Sequence, residues 1–295
     1  MQAKRIPVRL QIFILCGLTL LYAVCYATIK AGLLFAPPLR FAGLRALLGG
    51  LALLPLAWVV NKGILPERRL WPWIVALGLL ATTISFAGMF LSPGQTTTGV
   101  ASVLGNTQPL VIILLAALFL GETITNRQYL ALILGLAGVV ALSYPAWSET
   151  QAGPPFGPLL ALVAAGGAAA GSVIVKHMAP KRALLSVSAW QLILGSLPLF
   201  IWSVAIERHS PILWNYQFTG LLLFLSVPGT AVATAVWYWL IIGCDSVSRL
   251  SLFLFLVPLF GFAIGVLFLA EPVGPIEVTG ALLAVTGIAV AVVDK

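Results

Sequence analysis

The residues that could do chemistry in this chain are few, because polar side chains are scarce inside its long apolar runs. Arg45 is the one ionised residue placed well within such a run, between positions 39 and 60. An ionised group at membrane depth is costly and marks a functional position by default. It could meet a substrate carboxylate or a carbonyl of an outer gate; the alternative is that it snorkels outward along its own stem. Asn106-Thr107-Gln108-Pro109 falls in the middle of a later run. Proline there releases a backbone carbonyl one turn earlier, and Asn106 and Gln108 add neutral donors and acceptors. Such groups suit a zwitterion, since they can meet ammonium and carboxylate without fixed charge. They could equally serve as interhelical glue, at about 1 kcal/mol or less per bond.

Other candidates are arranged around these. Ser226, Pro228-Gly229 and Thr230 form a second mid-run break, mirrored loosely by Thr82, Thr83 and Ser85. Tyr22 carries a phenol that needs a partner lipid does not provide. Phe255-Leu256-Val257-Pro258 matches the Asn106 stretch but is apolar, so Phe253 and Phe255 would make an aromatic side opposite a polar one. Pro109, Pro258, Pro228 and Gly229 are the candidate hinge positions. Catalysis has no comparable support. Gly171-Ser172 and His177 are the nearest approach to a Ser/His pair, and five residues of helix, about 500° of rotation, leave them on different faces. There is no H-E-x-x-H and no mid-run pair of carboxylates. Cys16, Cys25 and Cys244 show no metal spacing. No catalytic residue, metal or cofactor is expected, and the chain is not read as an enzyme.

The elements that must hold these residues follow from composition. Apolar residues make up 61% of the chain, charged residues 8%, and the mean hydropathy is +1.09. A soluble domain needs about a quarter of its residues charged, so the exterior must face lipid. The net charge of +8 does not suggest nucleic acid, because the basic residues lie in short patches between apolar runs. A bilayer crossing takes ~20 apolar residues. Ten runs qualify, at about 10–30, 39–60, 71–91, 96–120, 126–145, 156–176, 185–206, 217–241, 247–270 and 275–293. Only Ser92-Pro93-Gly94-Gln95, a tight uncharged turn, separates the third from the fourth. The first run is too long for a cleaved leader of ~7–15 apolar residues and reads as a retained span. With the N-terminus in the cytoplasm, 12 of the 16 basic residues lie inside and three outside, which places both termini there.

The runs also repeat. Pro109 and Pro258, Glu122 and Glu271, and Gly138 and Gly287 are each 149 residues apart, while Lys30 and Lys176, Leu48 and Leu194, and Gly49 and Gly195 are 146 apart. Under that second offset Arg45 corresponds to Gln191. The expected division is residues 1–147 and 148–295, each of five spans. An odd number of spans inverts the second half, an arrangement many transporters use around a midplane site.

The doubled pattern of proline, glutamate and a glycine-bearing last helix (Pro109, Glu122, Gly138; Pro258, Glu271, Gly287) resembles the drug/metabolite transporter superfamily, in its ten-span EamA-type branch. The resemblance covers essentially the whole chain and is closest to bacterial aromatic amino acid exporters. It implies an all-α membrane fold, a basket with the fifth and tenth helices at the periphery, and a central cavity. It also implies broad export of amino acids across the bacterial inner membrane, with other small metabolites or drugs as the alternative cargo. Small multidrug carriers place a Glu in their first span, and none is present here. Phosphate-clamping carriers need clustered Lys/Arg. The acidic residues all fall in connections or at span ends, which points to facilitated transport without a carboxylate relay. The expected partners are the substrate and the bilayer, with a monomer as the simplest assembly.

Overall fold

A computed structural model describes residues 7–61, 63–92, 104–148, 156–180, 183–269 and 274–292. The turn at Pro93-Gly94-Gln95 and the second-half glutamate Glu271 lie outside the described residues. Ten helices carry the fold: α1 (Val8–Gly32), α2 (Pro38–Asn61), α3 (Arg68–Leu91), α4 (Gln108–Leu120), α5 (Asn126–Ser148), α6 (Phe156–Met178), α7 (Leu184–Ile206), α8 (Tyr216–Gly243), α9 (beginning Val247–Ser251 and continuing to Leu269) and α10 (Pro275–Val292). Among the described residues, eight are long and apolar enough to cross a membrane. The 25 residues of α1 rise about 37 Å against a hydrocarbon core of about 30 Å.

The α4 helix has 13 residues and would rise only about 20 Å by itself. The expected single span over 96–120 is interrupted by a turn at Asn106-Thr107, where the Thr107 hydroxyl donates to the Leu104 carbonyl at 2.6 Å. Pro109 then sits in the first turn of α4, where its missing N–H costs nothing. The corresponding place in α9 is a tightened 3₁₀ stretch, Leu252–Phe255, running into the helix that contains Pro258. Both helices therefore bend just before their paired prolines.

The main helix pairings recur when the two halves are exchanged. The α2 helix packs along α7, and α5 along α10. Off that axis, α4 on α6 answers α9 on α1, α3 on α6 answers α8 on α1, and α3 on α7 answers α8 on α2. The chain is thus two inverted five-helix repeats. The α5–α10 pair is closed by glycines: a Cβ at Gly138 would stand 2.6 Å from Ala284 N, and one at Gly287 would stand 2.8 Å from Ala131 O. This pair also touches α9 and sits at the margin of the bundle. Its outer side bears an apolar groove of about 490 Å³ that includes Ile133, Val140, Tyr144 and Ile276. Small residues on α6 bring it against α3 in the same way, Gly167 facing the Leu80 carbonyl and Gly171 the Ala81 methyl.

Candidate functional site

Two helices leave the α form at mid-span. In α3, Gly78–Ile84 is π-helical; in α8, Val227–Val232 is. Pro228 supplies the cause in α8, since it cannot complete the α-helical ladder. In both helices a threonine hydroxyl donates to the carbonyl five residues back, Thr230 to Leu225 at 2.8 Å and Thr83 to Gly78 at 3.1 Å. A π-turn inside a transmembrane helix leaves carbonyls facing a neighbour, and such turns recur at functional sites.

Each π-turn is crossed by a helix of the other half at a glycine. Gly49 of α2 lies against Ser226 O and Thr230, and Gly195 of α7 against Gly78 O and Thr82. Side-chain atoms at these two crossings would meet backbone, so only glycine fits.

Arg45 stands four residues before Gly49 and is 4% exposed. It does not snorkel. Its Nε–H donates to Thr230 Oγ1 at 2.6 Å, and Nη2 donates to the Gly229 carbonyl at 3.2 Å. Nη1 lies 3.9 Å from Met89 Sδ. The guanidinium carbon is 4.8 Å from the centroid of the Phe86 ring and 5.7 Å from that of Phe90. Among the described residues no carboxylate pairs with it. The cation is therefore held by one hydroxyl, one carbonyl, a thioether and two ring faces. A guanidinium has five N–H groups, and two here have no acceptor among the described residues.

The surroundings come from three helices. Cys25, Tyr26 and Tyr22 of α1 lie within electrostatic reach of Arg45, and a Cβ on Gly229 would touch Cys25 Sγ at 2.6 Å. Tyr22 is half-buried beside the apolar cluster that contains Trp237, Tyr238 and Phe253. The Tyr26 hydroxyl reaches toward Gly105, next to the half-buried Asn106 and Gln108 at the bend before α4.

The other crossing is closed and neutral. Thr82 donates to Gln191 Oε1 at 2.9 Å, and the Thr83 hydroxyl also donates to Gly195 O at 2.7 Å.

The structure thus brings Arg45, Thr230, Gly229 and Tyr22 into one neighbourhood. It sets Thr83 of α3 against Gly195 of α7, and Ser85 buried where Gly167 of α6 crosses α3. Ser226 donates to Leu222 O within its own helix. Phe255 packs over Gly135 of α5, so its ring fills the seam between α9 and α5. Phe86, Met89 and Phe90, which surround the guanidinium, carried no distinguishing signal in the sequence. They are apolar residues in an apolar helix, and only their spacing, one turn apart, puts them on a shared face.

Two regions of the chain, residues 9–144 and 155–293, match the model of the EamA-like transporter family. This chain belongs to that family. It is 32% identical to a protein of Bacillus subtilis (strain 168) described as "uncharacterized transporter YvbV", over 97% of its own length and 92% of that protein's. It is 26% identical to a protein of Escherichia coli (strain K12) described as a "probable amino-acid metabolite efflux pump", over 89% and 88% of the two chains. A solved crystal structure shares the fold, with a TM-score of 0.80 at 20% identity over 98% of this chain and 97% of that one. The chain is accordingly a multi-span membrane transporter of the drug/metabolite transporter superfamily.

Proposed function

We propose that this transporter exports amino acids, neutral and aromatic ones included, across a bacterial inner membrane by alternating access, with both termini cytoplasmic. The carrying observation is Arg45: a buried cation that, among the described residues, has no carboxylate partner and two N–H groups without an acceptor, flanked by the Phe86 and Phe90 rings. A substrate carboxylate can accept those N–H groups in a short, charge-assisted pair, while the rings and Tyr22 receive an apolar or aromatic side chain. The Asn106 and Gln108 bend offers neutral groups for the ammonium. The name of the Escherichia coli relative supports the same substrate class. With no acidic residue at mid-span in the sequence, transport runs down the substrate gradient.

The test is counterflow of labelled amino acids into proteoliposomes. Saturable, stereoselective exchange without an imposed proton gradient is expected. Exchange that needs such a gradient would end the uncoupled reading, and no exchange of any amino acid would end the substrate assignment. One observation favours a second cargo: no described carboxylate stands near Arg45 to receive an ammonium, so a monocarboxylate without an amine fits the same cation. Including monocarboxylates in the same assay separates the two.

A further inference from the structure

The carboxylate of Glu122, just past the end of α4, lies on the first turn of α9 in the opposite half. Oε1 accepts the Val247 N–H at 2.8 Å, and Oε2 accepts the Ser246 hydroxyl at 2.8 Å and the Ser248 N–H at 3.1 Å. Three donors converge on one anion at a helix start, where the helix field also favours negative charge. The pieces joined in this way are short. Below the Asn106-Thr107 turn, α4 runs from Gln108 to Leu120; before its own 3₁₀ bend, α9 has only Val247–Ser251. These two pieces pack on each other.

A carboxylate cap also joins the halves at the opposite end of the bundle, where Glu207 accepts the N–H groups of Leu39 at 2.7 Å and Arg40 at 3.0 Å. That cap ties α2 to α7, which already pack along their length, and it adds to a seam that is fixed. The Glu122 cap ties two pieces that each hang from a bend. It is the one placed to open.

We infer that Glu122 is the latch residue of a gate, holding the ends of α4 and α9 together on the face where α1 begins, and that releasing it opens that face of the transporter. The inference concerns the conformational cycle and holds whatever the cargo.

A native thiol reports the latch. Cys244 follows α8 two residues before Ser246, and Lys176 of α6 donates to the Cys244 and Ile241 carbonyls, closing the same corner. Burial pushes the Cys244 thiol up to about 11, so it reacts slowly while the corner is shut. Cys25, buried against Gly229, reports the interior of the bundle. The experiment measures labelling by a bulky polar maleimide in lipid nanodiscs, which expose both faces, on single-cysteine forms retaining Cys244 or Cys25.

Glu122→Gln should label at Cys244 at least tenfold faster than the parent while keeping a cooperative thermal transition, and any gain at Cys25 should be smaller. Should that variant not fold, Ser246→Ala, which removes one of the three donors, should show a severalfold increase at Cys244. An unchanged Cys244 rate overturns the inference. So does loss of the cooperative thermal transition in both variants, which would mark Glu122 as a general support of the fold.

Discussion

The two π-turn crossings of this transporter share a backbone arrangement and differ in charge. At one, Gly49 of α2 meets α8 and Arg45 donates to Thr230; at the other, Gly195 of α7 meets α3 and Gln191 accepts from Thr82. Arg45 and Gln191 are related by the repeat offset of 146. The same offset relates the ends of these helices: Arg40 and Glu207 make the charged contact between α2 and α7, while their counterparts Ser186 and Asn61 make a neutral one at 3.0 Å. The repeat has kept the places where the halves bond and changed what bonds there. Inverted geometry supplies a symmetric scaffold, and a single buried cation makes one side of it charged.

Substitutions at the two crossings should erase the difference between them or widen it. The largest effect is expected from Arg45→Gln, which makes the charged crossing resemble the neutral one. Loss of one partner of a buried charge pair costs about 2–5 kcal/mol, so affinity for a carboxylate substrate should fall by roughly 30-fold or more. The thermal midpoint should hold or rise, because a buried cation without a carboxylate partner burdens the fold. A thermal shift assay beside equilibrium binding separates the two effects.

Next in size are the glycines. Gly195→Ala puts a methyl 2.5 Å from Gly78 O and Thr82 Cβ, whereas Gly49→Ala meets Ser226 O at 2.9 Å and a threonine methyl at 3.0 Å. Overpacking costs about 1–3 kcal/mol, and denaturation should show Gly195→Ala to be the more damaging. Thr230→Val takes the acceptor from Arg45 Nε and should cost about 1–3 kcal/mol, while Thr82→Val loses a neutral bond worth about 1 kcal/mol.

The smallest effect concerns acid. Burial pushes the Glu122 carboxyl up, but the hydrogen bonds from Ser248, Val247 and Ser246 outweigh it and hold it below its ordinary value. A depressed carboxylate contributes stability that is present above the unfolded pKa of about 4.3 and is lost as pH falls through the folded one. Cys244 labelling, corrected for thiolate fraction, should therefore be flat from pH 8 to 6, in the parent and in Arg45→Gln alike.

Much of this scaffold was legible in the sequence, because span length and hydropathy are set by the bilayer and proline marks a bend without help from neighbours. Apart from α4, which starts at Gln108 after the turn that interrupts the fourth run, the observed helices begin and end within a few residues of the apolar runs, and Pro109 and Pro228 lie at the breaks. The site was legible only in part. Arg45 stood out through its charge, yet its ring partners Phe86 and Phe90 did not, since a ring in an apolar helix looks alike whether it faces lipid or a cation. Nor does the sequence say which face a small polar residue takes. Thr83 and Ser85 lie on interhelical surfaces, and the Phe255 ring sits over Gly135, because crossing distances and helix rotation are fixed by glycine contacts between segments distant in the chain.

The proposed role of Arg45 is to hold a substrate carboxylate at the charged crossing. The most direct measurement compares the affinity of a transported amino acid with that of its carboxamide, in the parent protein and in Arg45→Gln. The parent should prefer the acid by at least tenfold, and the preference should collapse to near unity in the variant. An equal preference for the acid in both proteins would rule that role out.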